Sequence, residues 1–109
     1  MTDPIIVTGD DVELAVTLKK AGATFDMAGA TIHARIVKKD NSGVITASVE
    51  QSEAANGADW ANSRLILEIP TTETSGITYQ GPALIEIQVN DGKKRTWFID
   101  CKLVRGQIV

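Results

Sequence analysis

The sequence predicts an all-β protein of about seven short strands packed as a sandwich. Three observations carry that expectation: apolar and polar residues alternate along most of the chain, turn-forming residues interrupt the alternation at short intervals, and no segment sustains a helical period. The length of 109 residues suits one such domain, with a compact radius of gyration near ~13 Å.

The elements follow in order. Ile5 to Val7 is a first short strand, and Val12, Leu14, Val16 and Leu18 then alternate with Asp11, Glu13, Thr17 and Lys19. From Ala30 to Lys38, Ile32, Ala34 and Ile36 take one face while Thr31, His33 and Arg35 take the other. Asp40-Asn41-Ser42-Gly43 supplies turn chemistry, and Val44 to Val49 is expected to return as the partner strand. Gln51 to Ser63 reads as a polar loop whose Glu53-Ala54-Ala55 portion suits one helical turn. Arg64 to Ile69 is a strand ended by Pro70, and Thr71 to Gly76 suits a short helical turn. Ala83 to Val89 alternates again, Asn90-Asp91-Gly92 signals a hairpin of type I′, and Arg95 to Leu103 pairs back with Trp97, Ile99, Cys101 and Leu103 inward. Seven strands spaced by turns predict an immunoglobulin-like antiparallel β-sandwich, as one domain over residues 1–109 with its core at about 5–104. With one cysteine, the Cys–Trp–Cys core of antibody domains is absent.

Composition narrows the function. At 43% hydrophobic and 23% charged residues the chain is neither disordered, collagenous nor a coiled coil. A net charge of -3 argues against a generally basic nucleic-acid binder. An aromatic content of 5% leaves little for a stacking platform, with Trp60 and Tyr79 the candidates for sugar contact. The N-terminus has neither a basic start nor an apolar core, so no secretory signal is expected. No apolar run approaches the ~18 residues that span a bilayer. The expectation is synthesis in a cytoplasm, which suits an unpaired Cys101, and no membrane partner.

Candidate chemistry is sparse. Gly9-Asp10-Asp11 copies a polymerase tripeptide, but that chemistry needs a second carboxylate strand and a much larger fold, so a turn is the expectation. No loop places carboxylates at alternate positions for calcium. His33 is the only histidine and lies on the outward phase of its strand, away from any triad or multi-histidine metal set. Cys101 lies on the core phase, where a thiol is inert. The reading is a non-enzyme with no cofactor and no metal.

The basic residues suggest a binding end. With strands running up and down, the turns after Lys20, Glu50 and Asn90 share one end. That end gathers Lys19, Lys20, Lys93, Lys94 and Arg95, with Trp60 as a hot-spot anchor in the long loop. Lysines at hairpin tips also serve solubility and edge protection. A second contact is expected at the apolar C-terminal tail, Ile108 and Val109, by strand addition to a neighbouring subunit, giving a homo-oligomer such as a trimer.

Certain blocks carry a resemblance. Val7-Thr8-Gly9-Asp10 opens the first long strand, and Phe25-Asp26-Met27-Ala28-Gly29-Ala30-Thr31 opens the next. Gly43-Val44-Ile45 and Glu86-Ile87-Gln88-Val89 before Asp91-Gly92 complete the layout. The sequence resembles the Ig-like β-sandwich modules of bacteriophage virion proteins, such as the N-terminal domain of phage baseplate upper proteins, over roughly Ile5 to Val104. In that family an Asp-Leu-(small)-Gly-Ala stretch opens the second strand; Met27 here replaces the leucine. The family's baseplate members continue into long additional domains, whereas 109 residues hold one module. The resemblance implies a non-enzymatic virion structural or accessory protein (capsid decoration, neck, or tail and baseplate), made in the host cytoplasm and contacting other virion proteins. A carbohydrate- or host-surface-binding adhesin-like module is the alternative. No catalytic residue carries over.

Overall fold

A computed structural model describes residues 4–40, 43–54 and 57–105. The protein is all-β, with seven strands in two sheets. The strands are β1 (Ile5–Thr8), β2 (Val12–Thr17), β3 (Thr31–Lys38), β4 (Val49–Glu50), β5 (Arg64–Ile69), β6 (Gly81–Asn90) and β7 (Lys94–Arg105). A 3₁₀ turn covers Trp60–Asn62, and a one-turn helix α1 covers Thr71–Thr74. One sheet has the order β1-β7-β6-β3-β4, and β2 and β5 alone make the other. The radius of gyration is 13.8 Å, close to the expectation from length.

The alternation in the sequence becomes the core directly. On β6, Ala83, Ile85, Ile87 and Val89 are buried while the residues between them are half-buried. Ile32, Ala34 and Ile36 of β3 and Leu65, Leu67 and Ile69 of β5 join the same cluster, with Cys101 and Leu103 of β7. Both sheets therefore pack one face against a shared interior, and the fold is sandwich-like. Ile66, on the outer phase of β5, is also buried. The loop before β5 explains it: a Cβ on Gly57 would sit 3.6 Å from the Ile66 side chain, and Arg64 Nε donates to the Gly57 carbonyl.

Four local expectations are corrected. First, β1 pairs with β7 in parallel, Ile6 opposite Leu103, so the sandwich is not wholly antiparallel. Second, Val44 to Val49 does not form a full strand. Only a bridge at Val44 and the two residues of β4 pair with β3, because Thr46 turns inward and its hydroxyl accepts from Ile36 N–H at 2.9 Å. Third, the helical turn in the long loop lies at Trp60–Asn62 rather than at Glu53-Ala54-Ala55, of which Ala55 lies outside the described residues. Fourth, the β6–β7 hairpin has a three-residue loop, since Asn90 pairs with Lys94, and within it only Gly92 has a positive φ (107°). The tight turn with two positive φ values is instead at Ala21 (53°) and Gly22 (81°), closed by reciprocal bonds between Lys20 and Ala23.

Two turns do more than reverse the chain. In the Asp26–Ala30 block, the Asp26 carboxylate accepts from Ala28 N–H, and Ala30 N–H closes on the Met27 carbonyl with Gly29 at φ 81°. This compact turn drives Met27 completely into the interior, where its N–H bonds the Trp60 carbonyl at 2.7 Å. Gly9-Asp10-Asp11 is a turn too, and it is docked on α1. Thr71 N–H donates to the Asp11 carboxylate, the Thr71 hydroxyl to the Gly9 carbonyl, and the buried Thr74 hydroxyl to the Asp10 carbonyl.

Gln51 covers the outer edge of β5. Its side-chain oxygen accepts from Glu68 N–H at 2.7 Å, and its amide nitrogen donates to the Glu68 and Val49 carbonyls at 3.0 Å. Replacing Gln51 with leucine keeps the bulk but leaves those peptide groups unpaired, and should lower unfolding free energy by about 1–2 kcal/mol. Urea denaturation reads this as a lower midpoint at unchanged slope; an unchanged midpoint would show that water substitutes for the amide.

Candidate functional site

The expected basic end is built from the Lys20 turn and the β6–β7 hairpin, and the structure joins them. Trp97 on β7 donates its indole N–H to the Lys19 carbonyl at 3.0 Å. Its ring stacks on Phe25 with centroids 5.5 Å apart and planes 13° from parallel. Lys19 and Lys20 therefore sit against the first half of β7, beside Arg95, with Lys93 and Lys94 exposed at the hairpin. The aromatic at this end is the half-buried Phe25–Trp97 pair. Sequence alternation did signal that Trp97 faces inward, but the stack depends on Phe25, which lies outside any strand.

Trp60 does not serve as the anchor. It is 5% exposed and belongs to the interior. Its N–H bonds the Glu53 carboxylate and its carbonyl receives Met27 and Ser63, which hold it under the long loop. The indole N–H has no hydrogen-bond partner among the described residues. The expectation failed because an aromatic in a polar loop carries no periodic signal of burial. The carbohydrate reading loses the same side chain, and Tyr79, its other aromatic, donates its hydroxyl to the Pro82 carbonyl while Lys38 Nζ lies 5.8 Å over its ring.

The charge at this end is also smaller than the sequence suggested. Arg95 pairs with Asp91 through one guanidinium nitrogen, Nη1, which lies 3.2 and 3.1 Å from the two carboxylate oxygens. The Lys93 N–H and then the Arg95 guanidinium hold the Asp91 carboxyl below its ordinary value. At the far end, Lys39 pairs with Asp100. Ile108 and Val109 lie outside the described residues.

His33 is half-buried rather than fully outward. With Arg35, Ser48, Glu86 and Gln88 it lines an open pocket on the outer face of the larger sheet, where Arg35 and Glu86 form an ion pair. Cys101 is 1% exposed in the core. Among the described residues no group of three or more His, Cys, Asp or Glu side chains is placed to hold a metal ion. No helix among them is long and apolar enough to cross a membrane.

Sequence reasoning passed over the outer face of β1-β7-β6-β3-β4. Among the described residues, neither the β2–β5 sheet nor any other layer covers it. Phe98 (48% exposed) stands on it opposite Glu86, and Ile5 (61% exposed) stands at its β1 margin opposite Lys102. The alternation of β7 contained this signal, since Phe98 is an aromatic on the outward phase. No protein-family model, curated protein or solved structure matches the chain.

Two measurements follow from the hairpin. In an NMR titration the Asp91 carboxyl should ionise below the ordinary 3.8. Because the folded-state value is depressed, the associated stability is present above 3.8 and lost as pH falls through the lowered value. Arg95→Gln should move the midpoint only part of the way back, because the Lys93 N–H bond remains; a full return would make the ion pair the whole cause. Separately, Trp60→Ala should destabilise the fold by about 3–5 kcal/mol as a large-to-small core change, read by thermal unfolding, whereas an exposed anchor would leave the melting temperature in place.

Proposed function

We propose that this chain is a non-enzymatic structural or accessory module of a bacteriophage virion, acting through protein–protein contacts. The sequence resemblance at Val7–Asp10 and Asp26–Thr31 supports the reading, and both blocks are turns with definite mechanical roles. Fold topology supports its immunoglobulin-like part. Strands two and five form one sheet while three, six and seven lie in the other, as strands B and E divide from C, F and G in immunoglobulin domains.

The observation that carries the contact function is the uncovered outer face of the five-stranded sheet. A half-exposed phenylalanine on β7, paired with β6 on one side and beyond the reach of the short β1 on the other, is a poor solubility device and a good contact residue. Glu86 stands opposite it and Asp100 is the next residue of β7 on the same face, so an apolar centre has a charged margin. The pocket at His33 and Arg35 adjoins it on the same face. A rigid sheet loses little conformational freedom on docking, which favours association.

Phe98→Glu tests the reading. The variant should keep its β-sheet circular dichroism and melting temperature, while association with purified phage heads or tails falls roughly 10- to 100-fold, the loss expected of a hot-spot residue. Undiminished co-sedimentation with particles would exclude this face as the contact.

A further inference from the structure

The two edges of the β2–β5 sheet are treated differently. Leu18 N–H donates to the Ser63 carbonyl at 3.1 Å, so the even-numbered residues of β2 turn their peptide groups towards β5. Those of Glu13, Ala15 and Thr17 therefore point away from β5, along an edge with no neighbouring strand among the described residues. On β5 the outward groups of Glu68 and Arg64, opposite Glu13 and Thr17, are taken. Gln51 bonds both peptide groups of Glu68, and Asp59 exchanges two backbone bonds with Arg64 at 2.8 and 2.9 Å. Among the described residues the β5 edge is covered at Glu68 and Arg64, while no bond covers the edge of β2.

The bare edge borders a groove of about 170 Å³ between β2 and β1. Its apolar lining is Ile5, Ile6, Val7, Val12 and Leu14. Among the described residues, its charged groups are the carboxylates of Asp10, Asp11 and Glu13. Val12 and Leu14 turn inward on β2, while Glu13 and Ala15 turn outward. A strand laid beside β2 would thus meet aliphatic surface beneath every second side chain and acid beside the others.

We propose that the open edge of β2 takes an extended segment of a partner protein, added as a third strand, whose side chains alternate between aliphatic and basic. Backbone bonding to Glu13, Ala15 and Thr17 supplies the docking. Aliphatic side chains enter the groove over β1, and lysine or arginine lies against the acidic rim. Charge complementarity selects this occupant, because an acidic or uncharged strand leaves the rim carboxylates unmatched. The contact shares Ile5 with the margin of the outer face but does not include Phe98, so Phe98→Glu leaves it in place and the two readings fail separately.

The test uses the full chain and a fluorescein-labelled eight-residue peptide of alternating valine and lysine, read by fluorescence anisotropy. Three comparison peptides accompany it: alternating valine and glutamate, the valine–lysine composition in blocks, and the alternating peptide N-methylated at every second residue. The alternating basic peptide should bind at least roughly tenfold tighter than the acidic one, as steering and pairing with exposed acids allow. The block and N-methylated peptides should lose most of that binding, and the amides of Glu13, Ala15 and Thr17 should gain exchange protection when the peptide is present. Glu13→Lys should weaken the preference for the basic peptide without reversing it, because Asp10 and Asp11 remain on the rim. Ala15→Pro removes an outward N–H without touching the β5 ladder and should abolish binding. Absence of binding, equal binding of basic and acidic peptides, or undiminished binding of the N-methylated peptide would overturn the proposal. Protection of the same amides through self-association, seen as a dimer by native mass spectrometry without peptide, would also overturn it by assigning the edge to a second copy.

Discussion

Two strands of six residues must close one side of a five-stranded sheet, and most of the molecule follows from that mismatch. The apolar faces of β3, β6 and β7 are wider than β2 and β5 can cover. Burying that remainder is favourable at roughly 25 cal/mol per Å², so irregular segments are drawn in to do it. Met27 enters from the turn before β3 and Trp60 from the loop before β5, and the two are tied to each other by Met27 N–H on the Trp60 carbonyl. Ser63, held at φ 63°, fastens the same region by bonding both peptide groups of Phe25. The interior is completed by two loops that hold each other.

This explains which parts of the fold were legible. Strands announce themselves by period two, so β2, β3, β5, β6 and β7 were read nearly to their ends. The Thr71 turn followed from Pro70 and a short polar run. Trp60 was not legible, because nothing in Ala58-Asp59-Trp60-Ala61 is periodic and the demand for it arises on the other sheet. Ile66 failed in the same way: its outward phase is real, but the loop at Gly57 lies over it. The parallel β1–β7 pair was hidden because pairing direction is decided by chain path, not by residue pattern. The reversal at Ala21-Gly22 was passed over in favour of Asp91-Gly92, whose dipeptide is the stronger local signal. There Asn90 and Asp91 instead cap the loop with side-chain bonds to Gly92 and Lys93 N–H.

The candidate site shows the same division. Placing Lys19, Lys20, Lys93, Lys94 and Arg95 at one end needed only strand direction, which alternation supplied. Whether those charges are available needed side-chain geometry. Asp91 occupies Arg95, and the Phe25–Trp97 stack fills the space where an exposed aromatic anchor was sought. A cluster of basic residues counted along a sequence overstates the field they present when a carboxylate four residues away closes back on one of them.

The unequal treatment of edges is then the most informative residue of the mismatch. A two-stranded sheet has no interior strand, so each of its members exposes half its peptide groups. Evolution has one inexpensive remedy, a side chain or loop that imitates a strand, and Gln51 and Asp59 apply it to β5. The loop that carries them is the same one that buries Trp60, so covering β5 follows from closing the core. No loop passes β2 on its way elsewhere: the turn at Gly9 enters it directly and the turn at Ala21 leaves it towards Phe25. Glu13 on its outer face is then the chain's own guard, since a carboxylate at an open edge repels an acidic strand and loses hydration without compensation against an uncharged one. A guard of one sign excludes most partners and admits one kind, which makes protection and selectivity the same physical property at this edge.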